Sequence, residues 1–320
     1  MCSETTHTVP GSPPNHPIKT WLTLLRAPNL LTVPGDPLAG AFLAAAGAQS
    51  AMAWPAIFQC ILASLSLYSG GLLANDYFDR EEDRRDRPFR PIPSGAAQPR
   101  SVLITAILFS VAANAFAAEA GKEPLLIAML LTVAVWAYNM GVKRLPFAGP
   151  LLMGTCRGLS LLLGAAAVTS STPTVTPWLA AGLITAYIAI ITAIARNETH
   201  AGQTRGGSLF IPATLVLVGL SGLAFVRWDG LVPVLTPHAS AFALGLSAMA
   251  VVWVGVWSGL LAGSQSPATV QRVVGGLIRG LILIQAALCA MTGPIGEVGA
   301  LAILFAFPVS GWLGKWFYGS

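Results

Sequence analysis

Ten long apolar runs constrain this chain more than any other feature of its sequence. Each run has about 20 mostly apolar residues, the length that an α-helix needs to cross a bilayer. Charged residues make up only 10% of the 320 residues, whereas a soluble domain usually has about 25%. Too few polar side chains remain to cover a water-exposed surface, which excludes a soluble protein. The predicted spans are Leu30–Ala48, Trp54–Ala74, Val102–Ala118, Leu125–Val142, Ala148–Val168, Trp178–Ala195, Leu209–Val226, Ala239–Ala262, Val273–Met291 and Val298–Leu313.

The runs predict an all-α fold, a polytopic transmembrane helical bundle of nine to ten spans. The count depends on the last pair, because Gly293-Pro294 can form a hairpin or a kink between them. Residues 1–20 are rich in Pro, Ser and Thr and predict a disordered N-terminal tail, which leaves 21–320 as a single transmembrane domain. The first run contains Asp36, so we expect a retained span and not a cleaved signal peptide.

Basic residues are distributed unevenly between the two sides of the predicted bundle. When the 80–100 loop is placed in the cytosol, 14 of the 18 Lys and Arg residues fall in cytosolic loops and tails. Only Lys122 and Arg227 fall outside, and Arg157 and Arg279 lie within spans. This bias predicts cytosolic termini, and a bacterial inner membrane is the simplest host. The net charge of +5 therefore reflects membrane orientation and does not indicate nucleic-acid binding.

Six of the 13 acidic residues lie between positions 76 and 86, at the cytosolic end of the second span. If that helix continues, Asn75, Asp76, Asp79 and Asp83 lie within about 100° of one another. Such carboxylates repel unless a cation lies among them. Mg²⁺ commonly bridges one or two carboxylates to substrate phosphates. The face therefore predicts a diphosphate–Mg²⁺ site at the cytosolic rim, with a solvated loop of Asp–Arg pairs as the alternative.

This region resembles the UbiA superfamily of membrane prenyltransferases, and it looks most like the EboC-like branch. The superfamily's first motif is N-D-x-x-D-x-x-x-D after the second helix. It is matched by Asn75, Asp76, Asp79 and Asp83. The Arg- and Pro-rich segment that follows in the superfamily ends in P-S-G and is matched by residues 87–95. The resemblance extends roughly over residues 22–226.

The resemblance implies a helical bundle around a central cavity, with Mg²⁺-dependent transfer of a prenyl group from its diphosphate to an acceptor. The diphosphate ionises to an allylic cation, which the acceptor captures. The implied acceptor is an aromatic compound or a polar, cyclitol-like one, and membrane lipid surrounds the enzyme. The implied catalytic and metal-binding residues are Asn75 (metal only), Asp76, Asp79 and Asp83. The implied substrate-binding residues are Asn75, Arg80, Tyr138, Lys143 and Arg144.

The superfamily's second motif, D-x-x-x-D, is incomplete in this chain. The loop after the sixth span contains one carboxylate, Glu198, with Asn197 as a further oxygen donor. By position we expect Glu198 to be a catalytic and metal-binding residue and Asn197 to contact substrate. His200 is either a ligand, an acid/base group or an ordinary loop histidine. The departure weakens the second metal site or indicates an altered acceptor or base.

Several polar residues lie inside the predicted spans, where they are costly unless partnered. We favour a substrate-binding role for Arg157, facing the cavity near the diphosphate or acceptor, over a structural ion pair. Asp36 can pair with Arg157, line the acceptor pocket or cap a helix. Arg279 either pairs or snorkels toward the interface. Interhelical hydrogen bonds are expected from Asn114, Asn139 and Gln285.

Two other functions remain open. A secondary transporter also has many spans, but transporters usually bind substrates near the membrane midplane. The acidic face lies at the cytosolic rim, which favours the enzyme. A non-catalytic, lipid-binding member of the superfamily would account for the incomplete second motif. The intact first motif argues against it.

Overall fold

The computed structural model of the protein describes residues 17–168, 175–196, 211–227, 237–263 and 266–317. Within these ranges the regular elements are all helices. A short 3₁₀ turn, Val142–Arg144, joins two of them. The α-helices are α1 (Pro17–Leu24), α2 (Ala27–Leu30), α3 (Gly35–Ala48), α4 (Trp54–Phe78), α5 (Arg80–Asp86), α6 (Pro99–Ala120), α7 (Lys122–Met140), α8 (Ala148–Ala166), α9 (Val175–Arg196), α10 (Ile211–Arg227), α11 (Pro237–Gly263), α12 (Pro267–Ala290) and α13 (Pro294–Phe317).

Nine helical segments in the described part of the chain are long and apolar enough to cross a membrane, with α2 and α3 counted as one segment, Ala27–Ala48. A shorter apolar stretch, Ile211–Ala224, lies in α10. This confirms the predicted multi-pass, all-α membrane protein. Gly293 has a φ of 102° and separates α12 from α13. The Gly293-Pro294 break is therefore a turn between two helices and not a kink within one.

The N-terminal boundary differs from the sequence prediction. Residues 17–20 were expected in the tail, but they form the first turn of α1. The proline at the first helical position fixes a helical φ. Trp21, Leu24 and Leu25 then pack against a core cluster that includes Leu73 of α4. These contacts fix the helix, and residues 1–16 lie outside the described part of the chain.

Glycines allow α8 to pack closely against both α3 and α9. A side chain at Gly164 would collide with the carbonyl of Pro37, and one at Gly40 with the carbonyl of Leu161. On the other side, Gly154 and Gly158 lie against the backbone of α9. This small-xxx-small spacing lets helix backbones approach within a membrane. This close packing also fixes the position of Arg157, which lies between Gly154 and Gly158 in the sequence.

The ends of several helices meet at one end of the bundle. Arg196, the last residue of α9, donates to the carbonyl oxygens of Leu145 at 2.5 Å and Arg144 at 3.1 Å. Arg26, between α1 and α2, reaches Asp76 near the end of α4. The ends of α4, α7 and α9 therefore lie beside the start of the first span, where the positive-inside prediction places the cytosol.

Candidate functional site

A cavity of about 160 Å³ lies between α4, α7 and α8. Asn75 and Tyr138 line it at the ends of α4 and α7, and Ser64 and Leu131 line its deeper part. Ser64 lies 11 residues before Asn75, which is about three helical turns deeper in the bundle. The cavity is thus polar where the helices end, and its deeper wall combines apolar side chains such as Leu67 and Leu131 with the hydroxyls of Ser64 and Ser160.

The acidic motif lies where α4 passes into α5. Asp79 ends α4 with φ −89° and ψ 0°, and α5 begins at Arg80. The hydrogen-bond ladder continues across this joint, because the Asp79 amide donates to Asn75 and the Asp83 amide donates to Asp79. The predicted continuation of the helix is therefore correct apart from this joint, and the motif residues follow one another on successive turns.

Lys143 connects the first and third residues of the motif. Its Nζ lies 3.2 Å from Asn75 Oδ1 and 2.5 Å from Asp79 Oδ1. The Lys143 side chain is 12% exposed and that of Asp79 is 19% exposed, so the pair is partly accessible to water. Two oxygen atoms from consecutive turns of the helix thus already hold one cation.

Arg90 and Arg26 neutralise the other two aspartates. Arg90 Nη1 donates to both carboxylate oxygens of Asp83, at 3.0 and 2.8 Å, and lies 3.8 Å from Asp76 Oδ1. Arg26 Nη2 lies 3.4 Å from the same Asp76 oxygen. Arg26 adopts a left-handed backbone, φ 46° and ψ 56°, directly after α1. This turn places its side chain at the end of α4.

The donor atoms of this face suit Mg²⁺ only in part. Among the described residues, no group of three or more His, Cys, Asp or Glu side chains is close enough to hold a metal ion. Mg²⁺ needs only one or two carboxylates when substrate phosphates complete its shell. Asn75 and Asp79, which already hold a cation, fit that role, as does the neighbouring Asp76. Asp83 is turned toward Arg90 by both oxygens.

The remaining predicted substrate-binding residues divide into two groups. Tyr138 and Arg157 line the cavity beside Asn75. Arg80 instead donates to the carbonyl of Tyr77 and stacks over that ring at 4.4 Å. Arg144 is exposed and is not among the described residues that line the cavity. The predictions for Asn197, Glu198 and His200 lie outside the described residues.

Arg157 belongs to a second polar cluster inside the bundle. Its Nε lies 2.8 Å from Asp36 Oδ2, and its Nη2 donates to the Thr32 carbonyl at 2.8 Å. Gln285 Nε2 donates to Asp36 Oδ1 at 2.5 Å and to the same Thr32 carbonyl at 2.9 Å. Asp36 is fully buried. Of the three alternatives predicted for Asp36, the structure shows the pairing with Arg157. The Arg157 side chain also lines the cavity.

Asn139 and Asn114 make the interhelical hydrogen bonds that the sequence predicted. Asn139 donates to the carbonyl of Gly71 at 3.2 Å, and Asn114 donates to Thr132 Oγ1 at 2.9 Å, so both link neighbouring helices. Arg279 lies over the rings of Trp253 and Phe307, with centroid distances of 5.8 and 5.6 Å.

Three residues near the cavity were not identified from the sequence. Arg26 and Arg90 reach the aspartates, and Tyr68 lies beneath the Arg157 guanidinium at 5.7 Å. Arg26 is the last basic residue before the first apolar run, and Arg90 lies within the 87–95 segment. These positions are the sequence features from which the two arginines could have been identified. Tyr68 lies in an apolar run and has no such signal.

Comparison with known proteins identifies a family. The UbiA prenyltransferase family matches residues 37–264, which is most of the chain. Digeranylgeranylglyceryl phosphate synthase from Methanothrix thermoacetophila is 31% identical over 176 residues, covering 55% of this chain and 61% of that protein. The Methanopyrus kandleri protein of the same name is 31% identical over 236 residues, covering 69% of this chain and 83% of that protein.

Solved structures match over a larger part of the chain but at lower identity. A UbiA homolog from Archaeoglobus fulgidus bound to DMAPP and Mg²⁺ superimposes with a TM-score of 0.57. It is 13% identical, and the match covers 83% of this chain and 99% of that one. This likeness shows the fold. The chain spans about half to three fifths of the length of several curated relatives that it matches.

Proposed function

Because the chain belongs to the UbiA prenyltransferase family, we propose that it transfers a prenyl group from an isoprenoid diphosphate to an acceptor at the cytosolic face of the membrane. The observation that carries this proposal is the acidic face at the joint of α4 and α5, beside the end of a cavity whose deeper wall includes Leu67, Leu131 and Val135. Asn75 and Tyr138 line the polar end, and Leu131 lines the deep end. The diphosphate headgroup would lie at the polar end of the cavity, and the isoprenoid tail would lie against its apolar side chains.

The chain's own residues bind and orient the donor in this proposal. Lys143 and Arg26 supply positive charge at the end of the cavity, where a diphosphate would lie. The bond between the prenyl C1 and the bridging oxygen breaks, and the diphosphate leaves with the electron pair. Cations that face the leaving group stabilise this developing charge. The apolar wall at Leu67, Leu131 and Val135 excludes water from the allylic cation.

The proposed metal ligands are Asn75, Asp76 and Asp79, with Asp83 and Glu198 as further candidates. Bound Mg²⁺ would neutralise charge on the diphosphate and so make it a better leaving group. The A. fulgidus homolog of the same fold is bound to DMAPP and Mg²⁺, which supports a Mg²⁺-dependent donor site.

The acceptor is proposed to be a polar molecule that presents a hydroxyl group. The wall of the cavity offers neutral hydroxyls at Ser64, Tyr68, Tyr138 and Ser160. The one arginine deep in the cavity, Arg157, is already paired with Asp36, so it is poorly available to a carboxylate. Relatives named digeranylgeranylglyceryl phosphate synthase point in the same direction, since a glyceryl phosphate carries hydroxyl groups. As the acceptor oxygen bonds to C1, its hydroxyl proton passes to the diphosphate that has left.

A transfer assay tests the donor and the acceptor separately. The purified protein is first heated with dimethylallyl, geranyl or geranylgeranyl diphosphate, with Mg²⁺ or with EDTA. A ligand at a hundredfold excess over its Kd stabilises the native state by about 2.7 kcal/mol. We expect stabilisation that requires Mg²⁺, and then label transfer to geranylgeranylglyceryl phosphate or a cyclitol in preference to an aromatic acid.

The same assay distinguishes the alternatives. Mg²⁺-dependent stabilisation with no transfer to any acceptor would favour a non-catalytic, lipid-binding protein. No stabilisation by any of the three diphosphates would contradict the donor site and favour a transporter. Transfer to an aromatic acid alone would contradict the proposed acceptor class but not the enzyme.

The cytosolic position of the site is proposed from the distribution of basic residues. The ends of α4, α7 and α9 meet where most of those residues lie. A cysteine introduced between positions 169 and 176 should then react with a membrane-impermeant reagent added outside the cell. Reaction from the cytosol alone would reverse the orientation. The relatives named above are archaeal, and the bacterial host membrane and the EboC-like branch stay predictions.

A further inference from the structure

Every aspartate of the acidic motif is neutralised by a cation of the same chain. Lys143 holds Asp79, Arg26 holds Asp76, and Arg90 holds Asp83. Three carboxylates face three cations, so the face carries no net negative charge. A divalent metal that arrives alone meets positive charges already within 2.5 to 3.4 Å of its ligands.

Metal binding to such a face requires those cations to move away. Repulsion between a divalent metal and an ammonium group a few ångströms away remains substantial at the effective dielectric of a protein surface, about 20, and weakens metal binding. A diphosphate changes this balance, because it is a new anionic partner for lysine and arginine. The cations can then transfer from the aspartates to the phosphate oxygens while the metal takes their place.

We propose that Lys143, Arg26 and Arg90 make divalent-metal binding conditional on the diphosphate. The three cations hold the aspartates in place, exclude the metal in the absence of the diphosphate, and move to the diphosphate when it binds. The donor and the metal therefore bind with strong positive cooperativity. This inference rests on the proposed function, because it takes the diphosphate as the donor's headgroup.

Lys143 is the cation to which this coupling should be most sensitive. Its one ammonium group contacts two predicted metal ligands, Asn75 Oδ1 and Asp79 Oδ1. Arg90 is directed mainly at Asp83, the aspartate least suited to the metal. Arg26 Nη2 lies 3.4 Å from Asp76 Oδ1, and the Arg26 side chain is 36% exposed. Removal of Lys143 should therefore increase the affinity for metal alone more than removal of either arginine.

Mn²⁺ binding measured by electron paramagnetic resonance tests the inference without a turnover assay. The purified protein is titrated with Mn²⁺ alone and with Mn²⁺ plus inorganic diphosphate. For the wild type we expect at least about tenfold tighter Mn²⁺ binding with diphosphate. Thermodynamic reciprocity requires Mn²⁺ to raise the affinity for diphosphate by the same factor. In Lys143→Gln we expect Mn²⁺ alone to bind about tenfold tighter than in the wild type, and the coupling to shrink.

Arg84→Gln is the matched control. Arg84 follows Asp83 on α5, but it pairs with Glu81 at 2.8 Å, and its side chain is 64% exposed. The variant removes the same charge without touching the motif, so Mn²⁺ affinity should change less than twofold. If Lys143→Gln does not fold, Arg26→Gln is titrated instead, with a smaller gain expected.

The outcomes separate this inference from the function on which it rests. Mn²⁺ binding to the wild type that is equally tight with and without diphosphate would overturn the inference, and the transfer assay could still succeed. An unchanged Mn²⁺ affinity in both Lys143→Gln and Arg26→Gln would also overturn it. If prenyl diphosphates neither stabilise the protein nor are consumed, the proposed function fails as well, and the transfer assay shows this independently.

Discussion

The protein contains two acidic centres that differ in what surrounds them. The rim centre consists of Asp76, Asp79 and Asp83 at the joint of α4 and α5. The core centre consists of Asp36 with Arg157, inside the bundle between α3 and α8. Each centre pairs carboxylates with basic side chains. The difference lies in how completely the partners are enclosed.

In the core centre, every group is enclosed by protein. The Asp36 side chain is 0% exposed and that of Arg157 is 8% exposed. Gln285 occupies the second carboxylate oxygen, and the Thr32 carbonyl accepts from both Arg157 and Gln285. Exchange of any partner would leave a charge unpaired in a medium of low dielectric. The core centre therefore holds helices together.

In the rim centre, Arg26 and Asp79 remain partly accessible, although Asp76 and Asp83 are largely buried. Arg26 is 36% and Asp79 is 19% exposed, and the Asp76 pair with Arg26 is long, at 3.4 Å. Such pairs are weak individually because water competes for both groups. Ion pairs of this kind can exchange partners at little cost. The comparison teaches that the same residue types hold helices together where protein encloses them, and we propose that they exchange partners where solvent reaches them.

The largest effect is expected from removal of one rim charge. Asp79→Asn keeps the shape of the side chain but removes its negative charge. We expect prenyl transfer to fall by about 10³-fold, the size of effect seen when a key electrostatic group is lost. Global stability should change by less than about 1 kcal/mol, because the pair with Lys143 is partly exposed. Label transfer and thermal unfolding measure the two quantities.

Asp86→Asn is the control for this variant. Asp86 ends α5 and is exposed, so its loss should leave transfer within about twofold. Full activity in Asp79→Asn would remove Asp79 from the catalytic site. A large loss of stability would instead make the rim resemble the core, and the contrast between the two centres would fail.

Much of the fold was predictable because membrane helices are specified locally. The predicted start of the second span, Trp54, is also where α4 begins, and the predicted start at Ala148 is where α8 begins. Hydropathy over about 20 residues is enough for such assignments. The acidic motif was equally local, since a spacing of three or four residues places side chains on one helical face.

The partners of these residues were not predictable, because they come from distant parts of the chain. Arg26 precedes Asp76 by 50 residues, and Asp36 and Arg157 are 121 positions apart. Several basic residues surround the motif in sequence, and only helix packing decides which of them reach it. The sequence therefore left Asp36 with three roles and assigned substrate contacts to Arg80, which stacks on Tyr77 instead.

A smaller but still large effect is expected from breaking the core pair. Asp36→Asn leaves the Arg157 charge buried without its counterion, and removal of one partner of a buried pair typically costs about 3 kcal/mol or more. We expect this loss in the free energy of unfolding, measured by reversible unfolding in mixed detergent micelles. The double variant Asp36→Leu with Arg157→Met should recover most of it, because a matched apolar pair leaves no unpaired charge.

A double variant as unstable as Asp36→Asn would contradict this account. It would show that the hydrogen bonds to Thr32 and Gln285, and not the charge pair, hold α3 against its neighbours. A core pair that could be broken at no cost would remove the distinction between the two centres. Asp36 would then have to be considered as part of the acceptor pocket.

The smallest effect is expected when the hydrogen bonds of the core centre are removed and its charge pair is kept. Gln285→Met has similar volume but cannot donate to Asp36 or to the Thr32 carbonyl, as Gln285 does at 2.5 and 2.9 Å. Loss of a hydrogen bond to a charged group costs about 1.5 kcal/mol, so unfolding should become easier by roughly half the Asp36→Asn effect. Mn²⁺ binding with diphosphate should stay at the wild-type level, because Gln285 does not line the cavity that reaches the rim. A parallel loss of metal binding would mean that the core centre also positions the rim, through Arg157 and the cavity wall that the two centres share.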